Sequence, residues 1–294
     1  MALSGGRLRI GVVGGSLGGL TTALLLQDLG HDVVIYERSP AELQERGAGI
    51  GFLPASYRYL DERVGIDPDR ISLCTDHIRY LGRDGTVVHD EAHVYRFSSW
   101  NTVYRALLEC FGQDRYCLGR ELVAFHDTGE TVRLSFTTGD TTEVDLLVCA
   151  DGVGSTARAS LLPDVRPRYA GYVAWRGTVP EAELDSSATK ALGDAITYYV
   201  YANSHILVYP IPGPDGETSV GERLINFVWY RNYLAGDDLE SVLTDRDGVR
   251  REVSVPPGAM APVHVGEARA VATARLPPLL AHVVHATTRP FLQV

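Results

Sequence analysis

The sequence predicts a mixed α/β fold, in which a Rossmann-like dinucleotide-binding domain is interrupted by a mostly antiparallel β-sheet domain. Three observations carry this. The chain opens with strand, glycine turn, helix, strand and acid in fewer than forty residues. An apolar run at Leu146–Ala150 ends on Asp151-Gly152 and is followed by a capped helix, and from Tyr169 onward four aromatic-rich runs read as strands. On this reading residues 1–70 and 98–165 form the nucleotide-binding domain, and 71–97 and 166–294 form the sheet domain.

In the opening unit, Arg9–Val13 reads as a strand, Gly14-Gly15-Ser16-Leu17-Gly18-Gly19 as a tight turn, and Leu20–Leu29 as a helix closed by Gly30. Val33–Tyr36 is the second strand and ends at Glu37-Arg38. Such a turn lets backbone approach a pyrophosphate at a helix N-terminus, where unpaired N–H groups and the helix dipole favour negative charge. Glu37 is placed to accept hydrogen bonds from ribose hydroxyls. Ser16 occupies the second glycine position of the fingerprint, adding a side chain at the ligand but also a hydroxyl able to bond a phosphate. Glu45–Gly51 reads as a second flexible segment, a loop when taken alone.

His77–His89 alternates around Arg83-Asp84-Gly85 and predicts a hairpin, as does Val132–Phe136 with Gly139-Asp140; Asn101–Phe111 has helical spacing. Leu146–Ala150 has the continuous apolar character of a strand covered on both faces, and Ser155 is placed to cap the helix carrying Arg158. The runs Tyr169–Gly177, Ile196–Tyr201, His205–Pro212 and Leu224–Tyr230 resemble one face of a sheet. Their aromatic residues either pack on that sheet or line a flat cavity for an aromatic ligand, with Tyr198, Tyr209 and Asn226 reading its polar substituents. Asp237–Leu243 reads as a short helix, Arg269–His285 as a helical segment broken at Pro277-Pro278, and Phe291–Val294 as a final strand.

The chain has 294 residues, 45% of them hydrophobic, and a formal charge of −10, enough for a large core and unsuited to general nucleic-acid binding. A short polar leader before Leu8 and the lack of a membrane-length apolar window predict a cytoplasmic protein with no membrane partner. Cys74, Cys110, Cys117 and Cys149 have neither zinc nor disulfide spacing and are expected as reduced, mostly buried thiols. His264, His282 and His285 read as surface imidazoles, and no metal site is expected.

The chain resembles the FAD-dependent aromatic hydroxylases, single-component flavoprotein monooxygenases with the fold of p-hydroxybenzoate hydroxylase, and among them the branch acting on dihydroxypyridines. The resemblance rests on Val13–Leu20, Tyr36–Pro40, Asp145–Arg158, Tyr169–Gly177, Tyr209–Gly213 and Asn226–Tyr230, in that order, and spans nearly the whole chain. It implies a GR2-type FAD-binding domain with the pyrophosphate over Gly14, Gly15, Ser16, Leu17 and Gly19, the ribose on Glu37 and Arg38, and Gly49-Ile50 running toward the flavin. Asp151-Gly152 matches a family motif that contacts FAD and is tied to use of the nicotinamide donor. A family arginine falls at or beside Arg105, although the local register could equally place Tyr104 there.

The implied reaction is reduction of FAD by NADPH or NADH, formation of a C4a-hydroperoxide with dioxygen, and transfer of one oxygen to an electron-rich aromatic or hydroxypyridine ring. His205 or Tyr209 would assist loss of the substrate's proton. The implied partners are a small aromatic substrate and dioxygen, with a homodimer left open. The family's third FAD motif, a Gly-Asp after the strand near Phe291, lies beyond Val294, so the resemblance leaves the C-terminal part of the fold missing. A second reading is therefore a catalytically incomplete flavin- or nucleotide-binding remnant or accessory protein.

Overall fold

The structure, a computed structural model, describes residues 6–43 and 48–294. Its strands run in chain order as β1 (Arg9–Val13), β2 (Asp32–Tyr36), β3 (Gly49–Phe52), β4 (Leu73–Leu81), β5 (Val87–Ser99), β6 (Tyr116–Cys117), β7 (Leu122–Asp127), β8 (Val132–Phe136), β9 (Thr141–Val144), β10 (Leu146–Cys149), β11 (Tyr172–Pro180), β12 (Ala195–Tyr201), β13 (Ser204–Ile211), β14 (Leu224–Asn232), β15 (Ser254–Val255) and β16 (Phe291–Gln293). The described residues fall into two compact units, one within Met1–Gln44, Glu62–Gly65 and Val103–Arg168, the other within Glu45–Asp61, Ile66–Thr102 and Tyr169–Val294.

The first unit is built on a four-stranded sheet of order β10-β1-β2-β6, whose pairings are all parallel. β1 is central because Ile10, Val12 and Val13 are all buried, the pattern of a strand covered on both faces. The helix Leu17–Asp28 returns the chain from β1 to β2, and Gly30, with φ +90°, turns it into β2. A separate antiparallel sheet, β7-β8-β9, packs Leu134, Phe136 and Val144 against Val13 and Tyr36. The cover expected on both faces of Leu146–Cys149 is not found among the described residues. β10 pairs only with β1 among the described residues, Leu146 is 42% exposed and Cys149 is exposed, so this strand is not covered on both faces.

The second unit is a nine-stranded sheet of order β15-β16-β11-β14-β13-β12-β4-β5-β3, antiparallel except where β12 lies parallel to β4. The hairpin of β4 and β5 turns at Gly85, as its Asp-Gly signal requires. Gly49–Phe52 is not a loop: it forms β3, antiparallel to β5, because Gly49 to Phe52 find partners in Ser99 to Arg96. The remainder of the segment, residues 44–47, lies outside the described residues.

Alternation along the strands gives the sheet two different faces. Val173 and Trp175 of β11, Ile206 and Val208 of β13, and Phe227 and Trp229 of β14 join one core with the helices Pro262–Arg275 and Pro278–Ala286. Each such fully buried large side chain contributes about 1.5–3 kcal/mol. The opposite face carries Tyr198, Tyr209, Val228 and Tyr230, with Phe97 of β5.

The helical segment near the C-terminus is two helices, because Pro277 and Pro278 remove amide donors and restart the chain at N1 of the second. The cysteines are free, but Cys74, Cys110 and Cys149 are exposed and Cys117 is intermediate, which corrects the expected burial. No described helix is long and apolar enough to cross a membrane.

Candidate cofactor cradle and ring-binding face

In the first unit the glycine turn is shaped by what surrounds it. Gly14 has φ +99° and donates its N–H to the Tyr36 carbonyl at 2.9 Å, and a Cβ there would lie 2.3 Å from the Ala150 carbonyl oxygen. A Cβ on Gly19 would lie 1.8 Å from the Gly14 carbonyl oxygen, so the helix can pack against the turn only with glycine at that position. Gly18, by contrast, faces open space. Ser16 is the N-cap residue, yet its side chain makes no capping bond, and the helix Leu17–Asp28 has no acid in its first turn. Its first amides are therefore available to an anion, and the electrostatics of the first turn favour one.

Gly15 is pinned from both sides of its peptide environment. Its N–H donates to Glu37 Oε2 at 2.8 Å, and the other carboxylate oxygen of Glu37 accepts the Ser39 N–H at 2.9 Å. Its carbonyl accepts the Tyr116 hydroxyl at 2.7 Å; Tyr116 in turn accepts from the Tyr104 hydroxyl at 3.2 Å, and Tyr104 accepts the Leu43 N–H at 3.2 Å. Glu37, Leu43, Tyr104 and Tyr116 are buried, and burial, together with the bond from Tyr104, holds the Tyr116 phenol protonated far above its usual range. Glu37, expected to serve ribose hydroxyls, is 5% exposed and already binds the glycine turn to the end of β2. Arg38 beside it is exposed.

Asp151 follows β10, and its Oδ2 accepts the Ala157 N–H at 3.3 Å; Gly152 takes φ +75°, and Ser155 Oγ caps the next helix at the Arg158 N–H, 2.9 Å away. The local order strand, acid, glycine, cap and helix is thus as read from the sequence. Arg105 is exposed on the helix Trp100–Phe111, whereas Tyr104 is 1% exposed and belongs to the hydrogen-bond chain just described. Sequence reasoning missed Tyr116, which lies 101 positions from Gly15 in the chain and carries no motif.

In the second unit, β13 and β14 place His205, Tyr209 and Asn226 on the same face as Tyr198 and Tyr230. Tyr209 pairs with Asn226 across the strands and stacks on Phe97 at 4.2 Å; His205 pairs with Tyr230 and stacks on it at 4.5 Å; Tyr198 stacks on Tyr80 at 5.1 Å. His205 and Tyr209 are four residues apart on one strand, roughly 13 Å along it, so they serve opposite ends of this face rather than a single proton.

Burial lowers the His205 pKa, keeping its imidazole neutral and able to accept a proton, and pushes the Tyr198 phenol up to about 12. Tyr209 is also raised by burial, against the pull of the nearby Arg176, which leaves it a neutral hydroxyl. Asn226, expected to read a ligand's substituents, has another partner. It is fully buried, and its Oδ1 accepts the Gly49 N–H at 3.0 Å, while Arg176 Nη2 donates to the Gly49 carbonyl at 2.7 Å. Gly49 is thereby clamped at both ends, and a Cβ there would fall 2.5 Å from the Tyr209 ring.

A family described as "FAD binding domain-like" matches residues 169–294. The chain is 36% identical over 291 residues to the 2,6-dihydroxypyridine 3-monooxygenase of Paenarthrobacter nicotinovorans, an alignment covering 97% of this chain and 71% of that protein. The chain belongs to the FAD-dependent monooxygenases. It is also 31% identical to the 6-hydroxynicotinate 3-monooxygenase of Pseudomonas fluorescens, over 71% of this chain and 57% of the relative. The solved 2,6-dihydroxypyridine-3-hydroxylase from Arthrobacter nicotinovorans superposes with a TM-score of 0.91 at 35% identity, covering 99% of this chain and 73% of that one. A salicylate hydroxylase substrate complex, at 19% identity and a TM-score of 0.70, shares the fold. Membership makes this chain an oxidoreductase, and the relatives it matches are named as monooxygenases or hydroxylases of aromatic and pyridine rings.

The residues present fit the cofactor of that family. The first turn of Leu17–Asp28 is uncapped and free of acids, Gly18 offers room, and the glycines behind it admit no side chain.

Proposed function

We propose that this chain is a monooxygenase that hydroxylates an electron-rich, hydroxypyridine-type ring with FAD as cofactor and NADH or NADPH as electron donor. The observation that carries the reading is the open N-terminus of Leu17–Asp28, held by Gly14 and Gly19 with Gly15 tied back on both sides. Gly14, Gly15, Ser16, Leu17 and Gly19 receive the pyrophosphate, Glu37 and Arg38 border the adenosine ribose, and Asp151 and Gly152 supply a further cofactor contact, as do Gly49, Ile50 and Arg105. Bound there, FAD would supply the redox chemistry needed to use dioxygen for hydroxylating the ring.

This chain's side chains do the rest. Tyr198, Tyr209 and Tyr230 offer flat apolar surface with hydroxyl tips to an aromatic substrate. His205, neutral through burial, takes the proton from a ring hydroxyl, which makes the ring more nucleophilic. Tyr209 remains protonated and orients the ring as a hydrogen-bond donor, while Asn226 and Arg176 hold the Gly49 peptide beside it. The relatives that act on dihydroxypyridine and hydroxynicotinate favour a nitrogen heterocycle over a simple phenol.

The test is to titrate the purified chain with FAD, following flavin fluorescence, and then to measure NAD(P)H oxidation with 2,6-dihydroxypyridine, 6-hydroxynicotinate and salicylate. Saturable FAD binding with substrate-stimulated NAD(P)H consumption and a hydroxylated product is expected. A protein that binds no FAD under these conditions refutes the reading. His205→Gln should remove the acid limb of the pH–rate profile while FAD affinity stays unchanged.

A further inference from the structure

Within the second unit, on the helix-covered side of the sheet, a cavity of about 310 Å³ opens beside the helix Pro262–Arg275. It has no part in the proposed chemistry. Its polar walls come from Arg246, Arg269 and Thr288, its apolar walls include Met260, Val265 and Pro290, and no carboxylate lines it. We propose that this cavity binds a small organic anion, a carboxylate or phosphate carried on a compact apolar body.

Cationic charge is concentrated at this cavity without an ionic partner among the described residues. In a chain of formal charge −10, two guanidinium groups share one cavity, and neither enters an ion pair with a described residue. The acids nearby are committed elsewhere: Asp245 to Arg251, Glu240 to Arg250, and Glu267 to His264.

Both guanidinium groups also keep unspent donors. Arg269 gives Nη2 to the Thr287 carbonyl at 3.0 Å, and Arg246 gives Nη1 to the Gly258 carbonyl at a long 3.3 Å; no other hydrogen bond occupies either guanidinium. A guanidinium has five N–H donors in a planar fork that matches carboxylate and phosphate oxygens, so both side chains keep several donors for a ligand.

The helix adds a third, independent contribution. It runs for 14 residues, begins at Ala261 with no side-chain cap, and has no acid in its first turn. Pro262, Val265 and Arg269 follow one another on the same face, so the positive end of the dipole and the Arg269 side chain point to one place. Met260, Val265 and Pro290 give the cavity apolar walls beside its charged ones. They fit a ring or short aliphatic body behind the charged group, and the volume is that of a small-molecule pocket.

Arg269 also borders a small void under Trp175 and Trp229, which provides an optical readout. The full chain would be titrated with benzoate, phenyl phosphate, inorganic phosphate and uncharged benzamide, by calorimetry and tryptophan fluorescence. The expected result is saturable binding of benzoate or phenyl phosphate, weaker binding of inorganic phosphate, and none of benzamide. Arg246→Gln, at an exposed position, should weaken the anion about tenfold and leave the fold intact. Arg269→Lys should weaken it as well, because the ammonium keeps the charge but loses the fork.

Absence of saturable binding up to on the order of 10 mM would overturn the proposal. So would benzoate binding that survives both substitutions, which would place the ligand elsewhere, or inorganic phosphate binding as tightly as phenyl phosphate. These outcomes are separable from failure of the flavin reading, since none requires FAD to bind.

Discussion

Replacing Tyr116 by Phe isolates one atom of the network behind the glycine turn. The hydroxyl donates to the Gly15 carbonyl at 2.7 Å and accepts from Tyr104 at 3.2 Å, within a buried cluster. Removing it leaves almost no cavity, so the cost is electrostatic: the Gly15 carbonyl loses its donor and Tyr104 loses an acceptor. An orphaned buried polar group costs about 1–3 kcal/mol, and the carbonyl, which has no other described partner, bears most of it. Denaturant unfolding followed by far-ultraviolet circular dichroism should show that loss.

Because Gly15 precedes the amides of the helix's first turn, FAD affinity should also fall, by about tenfold if some 1.4 kcal/mol of the preorganisation is lost. Tyr104→Phe is the control. It removes the donor to Tyr116 but leaves the Tyr116–Gly15 bond, so stability should drop while FAD affinity holds. If Tyr116→Phe matches the parent in both stability and FAD affinity, or if the two variants weaken FAD equally, the hydrogen-bond chain does not position the turn.

Gly49→Ala would bring a methyl group 2.5 Å from the Tyr209 ring and 2.7 Å from its hydroxyl, and such overpacking should cost about 1–3 kcal/mol in thermal unfolding. Glu37→Gln replaces two acceptor oxygens by one, so either the Gly15 or the Ser39 N–H loses this acceptor, with an expected cost of about 1–3 kcal/mol measured by urea titration. His205 has a folded-state pKa below its ordinary 6.5, so between those two values the unfolded chain binds more protons and stability declines as pH falls below about 6.5. His205→Gln should flatten that acid-side slope, and an unchanged slope would remove His205 as its source.

The turn between β1 and β2 was readable because everything that makes it is local: apolar period, glycines and an acid within one unit of chain. The Ser155 cap was readable for the same reason. The sidedness of β13 and β14 followed from alternation, which put His205, Tyr209 and Asn226 together, but alternation does not say which face is covered. Asn226 shows the limit: whether a buried amide reads a ligand or a backbone depends on Gly49, which lies 177 positions away in the chain. The misjudged cover over β10 and the exposed cysteines have the same origin, since apolar character reports preference for burial and not the presence of a partner.

The two-sided character of β13 also divides the labour of sequence change. Ile206 and Val208 are committed to the helix-backed core, and any alteration there is felt as lost packing. His205, Leu207 and Tyr209 interleave with them but face the other way. With the ring received on that face, as proposed, a lineage could rewrite specificity at alternate positions of a single strand while the intervening positions keep the scaffold intact, so that a change of specificity need not be a change of stability.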